Sequence, residues 1–229
     1  MSNLKLLNTE EVQIVVEGMA QLYPSTQTEL DYESDFQLLC ATVLSAQATD
    51  VGVNKATPGL FSAYPTPELM MQASLEDIQE KIRTIGLYKN KSKFLKNLSR
   101  KIVEEFSGQV PQTREELMSL PGVGRKTANV VLANAFGIPA FAVDTHVERV
   151  SKRMNFVPDD ANVLQVEQIM MEQLPDSSWH QAHHSILLFG RYQCTARKHD
   201  HQICLERLQS ALPEGSRTQN IFDKLERDD

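Results

Sequence analysis

The sequence has few cysteines and no long apolar run, and each absence excludes a class of protein. Its three cysteines, Cys40, Cys194 and Cys204, are too few for the disulfide framework of a small secreted domain. No stretch reaches the roughly 18 apolar residues that a transmembrane helix needs, so we expect no membrane span. Residues 1–10 are polar and lack the apolar core of a signal peptide. These features predict a cytoplasmic protein, associated with the nucleoid if the source is bacterial.

Paired runs of alternating apolar and polar residues, which mark a β-hairpin, are also missing from the sequence. Residues suited to cap a helix instead precede apolar segments throughout the chain, often with an acid or amide soon afterwards. We therefore predict an all-α fold. Predicted helix starts are Asn8, Ser34 (with a helix to Gln47), Thr66, Thr113, Asn162 and Asp176, and a further helix over 126–136 ends at Gly137.

Positive charge is scarce overall but concentrated in one stretch. The net charge is −7, which is the wrong sign for a protein that binds nucleic acid. Between Lys81 and Lys126, however, seven Lys and four Arg stand against four Glu and no Asp, so this stretch carries +7. A solvated helix surface would explain such a stretch. Its end in a phosphate-type motif favours a DNA-binding surface.

That motif is the segment Leu120–Ala128, in which two glycines flank Val123 between two predicted helices. Glycine lets the backbone approach a partner closely, and the amides of a first helical turn have no partner within the helix. Such amides suit a phosphate group. A plain tight turn would explain the glycines alone, but the whole segment resembles the helix-hairpin-helix motif of DNA-binding proteins. Predicted DNA contacts in it are Pro121, Gly122, Val123, Gly124, Arg125 and Thr127.

Lys126 and Asp144 are the candidate catalytic residues. A neutral lysine amine is a nucleophile that forms a Schiff base with a sugar carbon, although Lys126 fits a phosphate contact equally well. A short apolar run brings Asp144 to the start of another predicted helix. Aspartate is a common N-cap, but Thr145 with Glu148 also forms a capping pair, which would leave Asp144 for chemistry.

Residues 120–129 and 143–149 together resemble the endonuclease III family of helix-hairpin-helix DNA glycosylases. Residues 44–50, 84–88 and 183–194 resemble further family segments, so the resemblance covers most of the chain. It implies two helical domains with a DNA-binding cleft between them, across which the family's lysine and aspartate, here Lys126 and Asp144, should face each other. The implied parts are a six-helix domain over 28–138 and a second domain of 1–27 plus 139–212. The mixture of Gly, Ser, Arg and Asp in residues 213–229 separately predicts a loose tail with at most one short helix.

The activity implied by this resemblance is base excision repair of double-stranded DNA. The family removes oxidised pyrimidines and then cleaves the abasic site by β-elimination through a lysine Schiff base. A base within a duplex cannot be reached, so it is flipped out, and inserted side chains fill the gap. By resemblance Gln47 and Leu87 are these wedge residues, where a helix-terminal glutamine and a core leucine are the ordinary alternatives. Further candidate DNA contacts are His146, Arg149, Arg197 and Lys198.

The family's iron–sulfur cluster is not expected here. The family's four-cysteine spacing, started at Cys194, falls on His201, Cys204 and Ser210. A [4Fe–4S] cluster normally needs four thiolates, so we predict no cofactor and a loop held by packing, with free thiols. A zinc site on Cys194, His199, His201 and Cys204 is the alternative, although the spacing is not that of a usual zinc finger. His183 and His184 we expect in hydrogen bonds within the core or between domains.

Two other functions remain open. A monofunctional glycosylase of the same superfamily would remove a base without efficient strand cleavage, but that branch lacks a lysine at the position of Lys126. A non-catalytic helix-hairpin-helix paralogue that only binds DNA would need the hairpin but not Asp144. Because both residues are present, the sequence favours the bifunctional enzyme, and we expect it to be a monomer.

Overall fold

A computed structural model describes residues 6–24, 27–197, 199–212 and 219–225 of the chain. These residues form thirteen α-helices and one 3-10 helix, with no β-strand among them, which confirms the predicted all-α class. None of the helices in these ranges has the length and hydropathy that a membrane crossing requires. The chain divides into two compact units, one of Thr28–Ile138 and one of Met1–Gln27 with Pro139–Asp229.

The helices follow one another through short connections. In chain order they are α1 (Thr9–Leu22), α2 (Asp35–Ser45), α3 (Asp50–Ala63), α4 (Pro67–Gln72), α5 (Leu75–Lys81), α6 (Tyr88–Phe106), α7 (Arg114–Met118), α8 (Arg125–Phe136), α9 (Thr145–Arg153), α10 (Val163–Gln173), α11 (Trp179–Tyr192), α12 (His201–Ala211) and α13 (Gln219–Leu225), with the 3-10 helix Asp176–Ser178 before α11.

Local capping chemistry explains where most of these helices begin. The following predicted caps are confirmed, since each side chain accepts a hydrogen bond from a first-turn amide: Asn8, Ser34, Thr66, Thr113 and Asn162. The predicted start at Asp176 is wrong for the α-helix. Its carboxylate accepts instead from the adjacent Ser177 N–H at 2.7 Å, so the segment forms a 3-10 turn and α11 begins later.

The unit of residues 28–138 contains α2 to α8, which is seven helices and one more than the resemblance implies. Two of the seven, α4 and α5, are short and follow each other closely, since Ala73 ends α4 and the Ser74 side chain caps α5. α6 packs along α4, and α2 packs on α8. Cys40 is fully buried within α2, as predicted, and burial raises the pKa of its thiol. This unit carries the hairpin between α7 and α8.

The other unit packs α11 against α1 and α9, with α12 also on α1. The tail from residue 213 is predicted to contain at most one short helix, and residues 219–225 form one, α13. It buries Ile221, Phe222 and Leu225 in the core. Asn155 Nδ2 also donates to Lys224 O at 2.7 Å, which anchors the helix. Apolar side chains at helical spacing therefore fix this segment, while 213–218 and 226–229 lie outside the described residues.

Candidate active site

The turn between α7 and α8 is built on two glycines that have different roles. Gly122 has a φ of 82°, and a Cβ there would lie 2.8 Å from Phe94 Cγ, so both backbone and space exclude a side chain. Gly124 is the N-cap of α8, and a Cβ there would meet no described atom within 4 Å. Val123 is buried between them. The open side of Gly124 therefore leaves the first amides of α8 accessible to an anion.

Lys126 is exposed in the first turn of α8. This turn contains no acidic residue, whereas the first turns of α1, α5 and α7 each contain two. Carboxylates normally stabilise the positive end of a helix, so their replacement by cations is unfavourable for the isolated helix. The arrangement concentrates positive charge and unbonded amides in one place. Pro121, Arg125 and Thr127 are half-buried around it.

Asp144 is the N-cap of α9. Its Oδ1 accepts hydrogen bonds from His146 N at 2.8 Å and from Val147 N at 2.9 Å. The alternative cap by Thr145 and Glu148 is therefore wrong, and the Glu148 carboxylate instead accepts from Lys152 Nζ at 2.7 Å. Both cap bonds end on Oδ1, so Oδ2 keeps its lone pairs for another partner. The half-buried carboxylate is held in one orientation by the helix that it caps.

A buried histidine holds the extended segment that leads to Asp144. Residues 140–143 are buried, and His183 Nδ1 lies 2.7 Å from Ala142 O. His183 and His184 both belong to α11 and are buried, so the expectation of core hydrogen bonding is confirmed for His183. His183 thus positions Ala142, which lies two residues before the candidate aspartate. Its sequence signal, two adjacent histidines in an apolar helix, gave no hint of this partner.

Gln47 and Leu87 share an uncommon backbone conformation. Their φ angles are 55° and 60°, in the left-handed region that costs an ordinary residue about 1–2 kcal/mol. Leu87 is 58% exposed, so it is not a core leucine. Gln47 is exposed beyond the end of α2, so the predicted helix to Gln47 is wrong at its last two residues. A Cβ on Gly86 would lie 4.0 Å from Gln47 O, which places the two loops side by side.

Lys91 links the helices that flank these two loops, since it lies in the first turns of α6 and contacts the end of α2. Its side chain is buried, and its Nζ donates to Leu44 O at 2.9 Å in the last turn of α2. Burial lowers the pKa of this ammonium. A cation at a helix C-terminus is favourable, and here it also fixes the start of α6 to the end of α2. Lys91 therefore does not belong to the predicted basic surface, and its positioning role was not visible in the sequence.

The rest of the basic stretch is divided between internal pairs and exposed cations. Lys81 lies 3.9 Å from Asp77, Lys101 lies 3.5 Å from Glu105, and Arg114 Nε donates to Asn129 Oδ1 at 2.8 Å. The exposed cations of the stretch include Lys89, Lys93, Arg100 and Lys126. The positive surface is consequently narrower than the residue count predicts.

The remaining candidate DNA contacts differ in their burial and in the hydrogen bonds that they form within the protein. The Arg149 guanidinium donates to Gly190 O at 2.7 Å and to Cys194 O at 3.2 Å, and lies 3.1 Å from His146 Nδ1. These bonds tie α9 to the end of α11, which favours a structural role over the predicted DNA contact. His146 is half-buried and Arg197 is exposed. Lys198 lies outside the described residues.

The segment from α11 into α12 gathers a group of possible metal ligands. Donor atoms of Cys194, His199 and His201 all lie within 4.8 Å of one another. The adjacent Cys204 thiol, followed by His201 and the Arg153 guanidinium, holds the pKa of Cys194 below its ordinary value. The family's [4Fe–4S] cluster does not fit, because Ser210 is exposed and its hydroxyl donates to Arg207 O at 2.8 Å. The loop that we expected to be metal-free thus contains residue types that bind zinc.

Known proteins resemble this chain over most of its length. Residues 40–176 match the family described as HhH-GPD superfamily base excision DNA repair protein. An endonuclease III of Bacillus subtilis (strain 168) is 45% identical over 84% of this chain and 88% of its own length. A trapped endonuclease III–DNA covalent intermediate, with an estranged adenine, is 44% identical with a TM-score of 0.84, covering 90% of this chain and 99% of that chain. A non-covalent endonuclease III–DNA complex is 45% identical with a TM-score of 0.85, covering 92% and 97%.

Proposed function

Since the chain belongs to the HhH-GPD superfamily of base excision DNA repair proteins, and within it to the endonuclease III family, we propose that it is a bifunctional DNA glycosylase and AP lyase. Its substrate in this proposal is double-stranded DNA that carries an oxidised pyrimidine or an abasic site. Structures of relatives in covalent and non-covalent complexes with DNA support the proposal. The proposal includes a cytoplasmic monomer, at the nucleoid if the source is bacterial.

The observation that carries this proposal is the exposed amine of Lys126 directly after the two-glycine turn. A lysine in the first turn of a helix opposes the helix dipole, so helix stability alone does not select it. The turn itself offers amides to a phosphate, and the amine stands one residue beyond the N1 position of the same helix. A DNA backbone bound at the turn would thereby bring a sugar close to a nucleophile.

The chemistry begins once the damaged nucleotide is flipped out of the duplex, because its sugar C1′ is inaccessible in the stack. Nζ of Lys126 attacks C1′ as the glycosidic bond breaks, and the bonding electron pair leaves with the base, which takes up a proton. The Asp144 carboxylate stabilises the positive charge that develops on the sugar. The C1′–O4′ bond of the sugar ring then breaks, O4′ takes up a proton, and a protonated C1′=N Schiff base to Lys126 remains. This Schiff base acidifies C2′, so loss of a C2′ proton breaks the C3′–O bond and cuts the strand.

The side-by-side loops of Gln47 and Leu87 provide the groups that occupy the vacated space in the duplex. Leu87 projects an exposed apolar side chain from the first position before α6, and Gln47 offers an amide. Apolar wedges of this type partly unstack a base step and kink the duplex. Strained backbone conformations are retained where the surrounding structure fixes them, and Lys91 supplies that support through Leu44.

Borohydride trapping tests the proposal directly. The protein is incubated with an end-labelled duplex that bears a single thymine glycol, and borohydride is added to reduce any Schiff base. We expect a covalent protein–DNA band that is lost in Lys126→Ala, with strand cleavage reduced about a thousandfold or more because the nucleophile is gone. Lys55→Ala is the matched control, since it removes an exposed lysine from α3 in the same unit.

Binding to a duplex with a non-cleavable abasic analogue is measured in parallel for all three proteins. An unmodified protein that binds this duplex but gives no trapped band, with thymine glycol or with a natural abasic site, would refute the lyase. If free base were still released in that case, the protein would be a monofunctional glycosylase. If no base were released, the protein would be a binding-only member of the superfamily.

A further inference from the structure

The end of α11 and the start of α12 bring four possible metal ligands into one buried place. Cys194 is fully buried after α11, and His201 and Cys204 are buried in the first turn of α12. His201 and Cys204 are three residues apart, so they share one face of the helix. His199 precedes them in the connecting loop, and the donor atoms of Cys194, His199 and His201 lie within 4.8 Å of one another.

Two imidazole nitrogens in this place are buried and unsatisfied. Nε2 of His199 and Nε2 of His201 have no hydrogen-bond partner among the described residues. Buried polar atoms are nearly always paired, because an unmade hydrogen bond leaves the cost of desolvation uncompensated. Two such atoms beside a buried cysteine sulfur indicate that the site is completed by something that accepts electron pairs from all three.

The contact of Nδ1, the other ring nitrogen of His199, determines the tautomer of the imidazole. Nδ1 lies 3.0 Å from the carbonyl oxygen of Arg197, and a carbonyl only accepts, so Nδ1 carries the proton. Nε2 is then the nitrogen with the free lone pair. Metal-binding histidines almost always donate their second N–H to a carbonyl or carboxylate in this way, which sets the tautomer and the ring orientation.

We propose that Cys194, His199, His201 and Cys204 bind one zinc ion in tetrahedral geometry. Cysteine sulfur and histidine nitrogen are the donors that structural zinc sites use. Zinc–sulfur and zinc–nitrogen bonds of about 2.3 and 2.0 Å place the donor atoms roughly 3.5 Å apart. The donor atoms of Cys194, His199 and His201, which lie within 4.8 Å of one another, therefore need only a modest contraction. The Cys204 thiol, which donates to Asp200 O at 3.6 Å, would turn from that carbonyl to become the fourth ligand. Two thiolates neutralise the dication, which suits a buried position.

Two arginines of α9 hold Cys194 in place. Arg153 NH1 donates to Cys194 Sγ at 3.5 Å and to Thr195 O at 2.6 Å, so a cation from α9 holds the first ligand. Arg149 donates to the backbone carbonyl of the same cysteine at 3.2 Å. The ion would therefore connect α11, the loop with exposed Arg197 and α12, and it replaces the four-cysteine cluster by a site with two sulfur and two nitrogen donors.

The test measures metal content of the full-length protein purified from medium that contains zinc and iron. We expect about one zinc per chain by mass spectrometry, consistent with four ligands for one ion. After removal of the zinc, cobalt(II) should produce the visible ligand-field bands of a tetrahedral site and a thiolate-to-cobalt charge-transfer band. Both signals should be lost in His199→Gln, which changes a half-buried residue and should leave the fold intact by circular dichroism.

Cys40→Ser is the matched control for the cysteine variant Cys194→Ser, because Cys40 lies in the other unit. The Cys40→Ser variant should retain the zinc, whereas Cys194→Ser should lose it. If Cys194→Ser does not fold, a fall in the melting temperature of the unchanged protein on treatment with a strong chelator, restored by zinc, supports the site. Protein that is purified metal-free and neither binds nor is stabilised by zinc would overturn the proposal. Iron and sulfide in the purified protein, or a disulfide between Cys194 and Cys204, would overturn it as well.

Discussion

At the scale of single residues, Asp144 combines a structural role with a proposed catalytic one. Its Oδ1 accepts both cap bonds of α9, so the carboxylate is oriented without the use of Oδ2. A charge held in this way needs little reorganisation when positive charge develops on a sugar nearby. The ordinary interpretation of Asp144 as an N-cap and the catalytic interpretation are therefore compatible.

Asp144→Asn separates these two roles. Asparagine and aspartate cap helices about equally, so we expect the free energy of unfolding to change by less than about 0.5 kcal/mol. Single-turnover base release should nevertheless fall by about 100-fold or more, because the negative charge is lost. Urea unfolding and single-turnover kinetics measure the two effects. Asp144→Ala should lose the activity and also about 1 kcal/mol of stability; full activity in Asp144→Asn would exclude the catalytic role.

Leu87 offers the opposite combination, in which a substitution should help the fold and harm the function. Leu87→Gly relieves a left-handed backbone at a largely exposed side chain, so the free energy of unfolding should not fall and should rise by up to about 1 kcal/mol. Activity on the thymine glycol duplex should decrease because the wedge is gone. Ser107→Gly is the control, since Ser107 has a φ of 54° at the end of α6 and should gain stability with unchanged activity. Unchanged activity in Leu87→Gly would remove Leu87 from the proposed wedge.

At the scale of elements, α6 organises much of the candidate DNA surface of its unit. Its N-cap is Leu87, its buried Lys91 holds the end of α2, and its Phe94 packs on Gly122 of the hairpin. The wedge loops and the hairpin are thus supported by one helix of 19 residues. Because the three contacts lie on successive turns, a displacement of α6 would move wedge and hairpin together.

The two hairpin glycines predict a separation of stability from DNA binding. Gly122→Ala places a Cβ against Phe94 at a φ of 82°, so it should lower the free energy of unfolding by about 1–3 kcal/mol. Gly124→Ala meets no described atom, so its stability should change by less than about 1 kcal/mol. Its methyl group instead faces the approaching phosphate and should weaken affinity for an abasic-analogue duplex. Titration by fluorescence anisotropy tests this, and unchanged affinity in Gly124→Ala would show that phosphate does not approach there.

At the scale of the whole molecule, an acidic chain is proposed to bind a polyanion. The net charge of −7 disfavours general attraction to DNA, so affinity must depend on the few exposed cations and on the amides of the hairpin. Several cations of the basic stretch are paired with acids inside the unit that contains them. Backbone contacts position a protein on the duplex, and the flipped base and wedge then supply selectivity for damage.

The two units are also formed from the chain in different ways. The unit of 28–138 is a single continuous piece of chain, whereas the other is formed from both ends of the sequence. Its core includes α13, and Lys224 forms an ion pair with Glu11 of α1. The C-terminal helix therefore belongs to the folded structure of that unit, and the proposed zinc site lies between two of its other helices.

The sequence by itself determined the features that depend on neighbouring residues. A capping side chain reaches an amide about three residues away, so Asn8, Ser34 and Asn162 mark helix starts without any knowledge of the fold. The two-glycine turn and the all-α class follow from the same local rules. Family segments identified the endonuclease III resemblance, since they extend through most of the chain.

Tertiary structure alone decided the features that depend on residues far apart in the chain. Lys91 is buried because α6 meets the end of α2, where Leu44 O needs a donor 47 residues away. The backbone strain of Gln47 and Leu87 is set by the same meeting of loops. The unsatisfied nitrogens of His199 and His201 become significant only when the fold buries them beside Cys194. Composition and spacing identify such residues as candidates. Burial and long-range packing decide whether each is an exposed charge, a residue that positions its neighbours or a metal ligand.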